Sequence, residues 1–293
     1  MTKPLAEIPL RGAGGEPVDL ARTLNSHGVA SLPPNRLDGD SLEVTLAVGQ
    51  GRARTVKLAP GRRGHARVDG DASAGEVIPI LRTMLRLDDD LSPFYAVAAS
   101  DEDLSWAVAG AGRMLRSATL FEDVVKTICT TNCAWGGTVR MMTALVSELG
   151  PKAPGGGRAF PSAAVMAETD EAFYRDVARA GYRGPYLRSL AASVAEGTTV
   201  LEELEDPELP DDEVAARLLA LPGVGPYAAA HVMTTALGRY SRLILDSWTR
   251  PTYMRLTGAK RKLADKTIER RFKRYGPYAG LAFWLYLTRD WVE

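Results

Sequence analysis

The chain has 293 residues, 45% hydrophobic and 25% charged, the balance of a globular protein with a sizeable core. Its 36 basic and 36 acidic residues cancel, so no overall field draws it to a polyanion. No apolar run approaches the roughly 20 residues that span a bilayer. The first ten residues lack a secretory apolar stretch, so a cytoplasmic location without membrane contact is expected, nucleoid-associated in a bacterium. Cys129 and Cys133 alone exclude a disulfide framework and read as reduced, buried thiols; with His27, His65 and His231 scattered, no metal-ligand cluster stands out.

Residues 1–80 are broken by turn signals such as Gly12-Ala-Gly-Gly15 and Pro33-Pro-Asn35. Leu42, Val44 and Leu46 alternate with Glu43 and Thr45, the two-residue period of a half-buried strand. Gly49-Gln-Gly51 turns the chain into a partner strand over Ala53 to Leu58, and Val18 to Leu24 reads as a short helix. A small antiparallel sheet subdomain is expected there. The pattern then turns helical over 81–293. Val77, Ile80, Leu81, Met84 and Leu85 share one face, as do Phe121, Val124, Val125, Ile128 and Cys129. Trp135-Gly-Gly137 reads as an interruption after Asn132, with Thr138 capping the next helix and Gly150-Pro151 closing it. After the Gly155-Gly-Gly157 loop, shorter helices are expected at 162–168, 170–180, 185–196 and 211–220, and the last third is helical to Trp291. The fold class is mainly α (α+β). Charge is uneven: residues 202–213 are acidic and 260–274 basic, the latter either a solvated helix face or a DNA contact.

The most informative stretch is Leu221-Pro-Gly-Val-Gly-Pro-Tyr-Ala-Ala-Ala230, between amphipathic segments that place a helical hairpin over 211–237. Gly223 and Gly225 permit a tight turn and leave backbone N–H groups around Val224 uncovered. Pro226 suits a first helical turn. Amides at a helix N-terminus favour an anion such as a DNA phosphate.

This string resembles the helix-hairpin-helix of the base-excision glycosylases, the helix-hairpin-helix–GPD superfamily. An aspartate that follows the hairpin in that family is matched by Asp246 in Leu243-Ile-Leu-Asp-Ser-Trp-Thr-Arg250. The likeness is greatest to the 8-oxoguanine glycosylase and 3-methyladenine glycosylase II branch. Phe121-Glu to Ile128-Cys-Thr-Thr-Asn132, Gly181-Tyr-Arg183, Tyr275-Gly-Pro-Tyr-Ala-Gly280 and the N-terminal sheet all have counterparts there, in order. The resemblance implies a monomer that binds damaged double-stranded DNA, flips a nucleotide out and cuts its glycosidic bond. Asn132, Tyr182 and Arg183 would fill the gap and meet the orphaned base, although the family's cytosine-reading arginine falls at Gly137. No organic cofactor is implied; the carbonyls of Leu219, Leu221 and Val224 would hold an optional K+ or Na+.

Glycosidic cleavage builds positive charge on the sugar, which a fixed carboxylate stabilises while orienting water. Asp246 is that candidate, and it also reads as a helix N-cap. Members that cut the strand carry a lysine where this chain has Tyr227, which cannot form an imine, and neither Lys126 nor Lys152 replaces it, so a monofunctional enzyme is expected. Phe283 and Leu287 replace the residues that read 8-oxoguanine. Tyr227, Trp248, Phe283 and Trp284 instead offer aromatic faces, which favour an electron-poor alkylated purine. As sequence neighbours, Phe283 and Trp284 cannot both face one pocket. An oxidised or deaminated base, or a non-catalytic lesion-sensing module, is the alternative.

Overall fold

A computed structural model describes residues 4–292. The N-terminal part is a five-stranded antiparallel sheet in the order β1-β5-β4-β3-β2, formed by β1 (Ala6–Pro9), β2 (Asn35–Asp38), β3 (Ser41–Ala47), β4 (Ala53–Pro60) and β5 (His65–Gly70). The two strands read from alternation are its centre, with Leu42 opposite Leu58 and Val44 opposite Val56. These side chains meet Ile8, Val68, α1 (Leu20–Leu24) and the Val77, Leu81 and Met84 face of α2 (Ala74–Met84) in one core. Residue 80 therefore falls inside a helix whose buried face belongs to the sheet. The sheet's other face is not solvated throughout. Thr45 and Thr55 bond each other across it at 2.8 Å, and a Cβ on Gly157 would overlap both hydroxyls, so the glycine loop lies on the sheet.

The remaining helices are α3 (Ser92–Ala98), α4 (Leu120–Thr130), α5 (Trp135–Ala144), α6 (Ala163–Glu168), α7 (Arg183–Ala195), α8 (Asp211–Leu219), α9 (Pro226–Thr235), α10 (Thr249–Thr257), α11 (Asp265–Phe272) and α12 (Ala279–Thr288). They build two cores. One joins α4, α5, α7, α8 and α9; the other joins α3, α10, α11 and α12. Tyr227 on α9 packs against both. Both cysteines are free thiols, Cys129 buried and Cys133 partly exposed. No described helix is long and apolar enough to cross a membrane.

One element differs from the sequence reading, and the acidic run has ion-pair partners. α5 starts at Trp135, not after the glycines, and Thr138 lies inside it, its hydroxyl donating to the Cys129 carbonyl at 2.9 Å. Gly137 packs against Cys133, whose sulfur would have to turn aside for a Cβ there. The acidic run is also no free patch: Arg116 pairs with Glu205, Arg217 with Glu203 and Glu213, Arg239 with Asp211 and Arg242 with Asp212.

Candidate active site

A cleft of about 1150 Å³ opens along the junction of the two helical cores. The hairpin forms one side. α8 ends at Leu219, Gly223 takes the left-handed φ of 78°, and Pro226 opens α9. A Cβ on Gly223 would sit 3.0 Å from the Cβ of Tyr186, so the hairpin tip rests directly on α7. Gly225 is open, with nothing within 4 Å of a built Cβ. Leu219, Leu221, Gly223, Val224 and Gly225 all line the cleft. The Leu221 carbonyl accepts one backbone bond, from Val224 N, while none is made to the Leu219 or Val224 carbonyl among the described residues. Oxygen lone pairs are thus left for a monovalent cation, and the donor set is chemically suited to one.

Asp246 stands across the cleft at the start of α10. Its Oδ1 accepts from the backbone N–H of Trp248 at 2.8 Å and of Thr249 at 2.7 Å, while Thr249 Oγ1 accepts from Asp246 N at 2.8 Å. The carboxylate is therefore a helix cap, locked at both ends and favoured by the helix dipole. Oδ2 makes no hydrogen bond among the described residues, and Asp246 lines the cleft. Tyr227 faces the same space. Burial raises the pKa of its hydroxyl, a hydrogen bond shared with Thr130 lowers it and the negative charge of Asp246 raises it further. No lysine is among the cleft-lining residues. Lys126 is wholly buried, paired with Glu122 at 2.7 Å.

The turn after α4 and the start of α7 meet at the rim. Asn132, exposed and left-handed at φ 45°, donates from Nδ2 to the Tyr182 hydroxyl at 3.3 Å. Tyr182 is 54% exposed on a turn begun by left-handed Gly181. Its hydroxyl pKa is lowered, chiefly by the bond with Thr131. Arg183 does not join them. Its side chain is buried, its guanidinium donates to the Thr131 and Ala180 carbonyls, and it lies 4.5 Å under the Tyr182 ring. Arg183 braces the rim from behind, so the role expected for it in reaching an orphaned base is corrected to one of support.

The aromatic wall also differs from expectation. Trp248 and Trp284 line the cleft, but Phe283 is fully buried among Tyr253 and Phe272, at ring separations of 5.8 and 5.2 Å. Trp284 is anchored by donating its indole N–H to the Ser26 carbonyl at 2.8 Å. Trp291 completes a three-indole corner, 5.3 Å from Trp248 and 5.9 Å from Trp284. Its segment is held by Arg22, which donates to the Arg289 and Val292 carbonyls. Trp135, Tyr186, Trp291, His27 and His231 also line the cleft and were not singled out from sequence. Their placement comes from segments far apart in the chain, and no local sequence pattern marks it.

Comparison with known proteins places this geometry. No protein-family profile matches the chain. It superposes on the 3-methyladenine DNA glycosylase of Archaeoglobus fulgidus with a TM-score of 0.75 at 21% identity, covering 98% of this chain and 100% of that one. The chain has the helix-hairpin-helix DNA glycosylase fold. It likewise matches the 8-oxoguanine glycosylase/lyase of Clostridium acetobutylicum, solved with double-stranded DNA carrying cytosine opposite 8-oxoguanine, at a TM-score of 0.67 and 21% identity over 87% of each chain. In sequence it is 35% identical over 134 residues to the N-glycosylase/DNA lyase OGG1 of Arabidopsis thaliana, 42% of this chain and 36% of that relative. The match thus spans about a third of that relative's length. These similarities come from the superfamily and branch that the sequence resembles.

Proposed function

We propose that this protein is a monofunctional DNA glycosylase that binds damaged duplex DNA as a monomer, flips out an alkylated purine and hydrolyses its glycosidic bond. The reading rests on Asp246, fixed by helix amides with Oδ2 unbonded, in the same cleft as the hairpin and the Asn132–Tyr182 rim. The hairpin amides of Gly223 and Gly225 take a backbone phosphate, while the N–H of Val224, expected to join them, is given to the Leu221 carbonyl and shapes the turn. Tyr182 and Asn132 fill the space left by the flipped nucleotide. Asp246 stabilises the developing oxocarbenium charge and orients the attacking water. A K+ or Na+ on the Leu219, Leu221 and Val224 carbonyls, where bound, adds positive charge beside the phosphate.

Hydrolysis without strand cleavage is favoured by Tyr227 and by a cleft lined by no lysine, since an imine needs an amine. Tyr227, Trp248, Trp284 and Trp291 favour an electron-poor base, each good aromatic contact contributing about 1–3 kcal/mol. The test is base release from duplexes carrying 3-methyladenine, 7-methylguanine, hypoxanthine, 8-oxoguanine or 5-hydroxymethyluracil, by wild type and Asp246→Asn. Release of a methylated purine, lost in the variant and without nicking, is expected. Two of the similar proteins are named as glycosylase/lyases, which favours a second reading, an oxidised-base glycosylase/lyase. Borohydride trapping on abasic DNA separates the two: a covalent adduct overturns the monofunctional reading. Duplex binding with no release from any base would point instead to a lesion-sensing module.

A further inference from the structure

The two buried histidines of the cleft are unexplained by this chemistry. His27 precedes the short turn Gly28–Ser31 near the sheet, and His231 lies one helical turn after Tyr227 on α9, yet their rings meet edge-on at 5.9 Å. His27 Nε2 is 2.8 Å from the Leu115 carbonyl. A carbonyl only accepts, so Nε2 carries the proton and Nδ1 is a bare acceptor. That Nδ1 is buried and has no partner. On His231, Nδ1 lies 3.3 Å from Thr235 Oγ1 and 3.4 Å from Thr127 Oγ1. The Thr235 hydroxyl proton is already donated to the His231 carbonyl at 2.9 Å, so Thr235 can only accept here; in the tautomer that satisfies this contact Nδ1–H donates to Thr235 and Nε2 is the bare nitrogen. Nε2 makes no hydrogen bond among the described residues.

An orphaned buried acceptor such as His27 Nδ1 carries a desolvation cost and marks a place where a partner is missing. Burial holds both rings neutral, with pKa values lowered to about 3 for His27 and about 4 for His231. Neutral imidazoles add no charge to repel a cationic base.

We propose that His27 and His231 are specificity residues of the base pocket, two neutral imidazoles whose bare nitrogens accept hydrogen bonds from the N–H edge of an amino-bearing purine. The proposal rests on the glycosylase reading above and narrows its substrate class. A purine with a donor edge relieves the orphaned His27 acceptor and meets His231 Nε2, whereas one presenting a carbonyl in the same place sets acceptor against acceptor. His231 is the stronger test of the two, because its ring is held from α9 by Thr235 and from α4 by Thr127.

The experiment is single-turnover release of 7-methylguanine and of 7-methylhypoxanthine, which lacks only the 2-amino group. Wild type, His231→Phe and His231→Gln are compared, with binding to abasic duplex measured alongside. Wild type should favour 7-methylguanine, and His231→Phe should shrink that preference by about tenfold, the scale of one lost buried hydrogen bond. His231→Gln, with a carbonyl acceptor, should restore most of it. Unchanged abasic-duplex binding identifies folded variants. Equal slowing of both bases by His231→Phe assigns the ring to packing and overturns the proposal, as does an unchanged preference. Failure of wild type to release either base would instead overturn the glycosylase reading, irrespective of the histidines.

Discussion

α4 and α10 both begin with carboxylates at a helix N-terminus, yet the two ends are built for opposite purposes. In α4, Glu122 and Asp123 are buried and their charges are spoken for: Glu122 by Lys126, Asp123 by the backbone N–H of Ser117. Burial raises both carboxyl pKa values, against which Lys126 and Arg116 respectively pull down most strongly. In α10, Asp246 has one oxygen tied to amides and one without a bond, and it stands in the cleft. A saturated carboxylate holds a fold together. A half-saturated one keeps its field for a charge that arrives later, which under the proposed function is the charge on a sugar.

The contrast is broken most severely from the α4 side. Lys126→Met leaves Glu122 buried without its counter-ion and should lower unfolding stability by about 3–5 kcal/mol, read from denaturant melts. Asp246→Asn should reverse that pattern. The amide oxygen still caps α10, so stability should change by less than about 1 kcal/mol, while base release falls roughly 10²–10³-fold. If Asp246→Asn instead melts early and cuts normally, the two carboxylates are alike and the catalytic assignment fails. Tyr182→Ala removes the rim wedge; release from a paired lesion should slow by a factor matching about 1–3 kcal/mol of lost stacking. The same variant should be less impaired on a mismatched site, where less unstacking is needed. Gly223→Ala places a methyl group at a left-handed φ against Tyr186, and a loss of about 1–2 kcal/mol is expected. It should appear as weaker abasic-duplex binding with a normal Asp246 step.

The histidines between these regions make the comparison sensitive to pH. Their folded pKa values lie below the ordinary 6.5, so the unfolded chain binds more protons as pH falls from about 6.5 to about 4. Stability must therefore drop over that window. Glu122 and Asp123, raised by burial, oppose the trend because the folded state holds their protons more tightly. His231→Phe should make the acid-side fall in melting temperature shallower, and an unaltered slope would contradict a buried neutral His231.

Much of this was legible in sequence where one local signal sufficed. The central strands showed in the alternation of Leu42, Val44 and Leu46, and the hairpin in two glycines and a proline. β1 and β2 are four residues each, too short to establish a period, and β5 carries only Ala66 and Val68 inward. At the site, Asp246, Tyr227, Trp248, Asn132 and Tyr182, singled out from sequence, share one cleft. Arg183 and Phe283 do not, because where a side chain points depends on partners from distant segments: Thr131 for one, Tyr253 and Phe272 for the other. Trp291 and the histidine pair were illegible for the same reason. Their role is a meeting of segments far apart in the chain, and no local pattern encodes it.

The contact between Gly223 and Tyr186 has a mechanical meaning. Tyr186 sits on the same helix that starts at the Tyr182 rim, and its ring lies 6.2 Å from that of Tyr182. The part that would pry at the base stack and the part that would hold the backbone are therefore joined through Tyr186. A base pair that resists prying pushes back on the grip, so firm pairs shorten the stay of the protein and weak pairs lengthen it. Discrimination would then begin as a difference in dwell time, before any base enters the pocket. A double-mutant cycle between Tyr182→Ala and Gly223→Ala measures that linkage, and strictly additive binding losses would show the two parts to be separate.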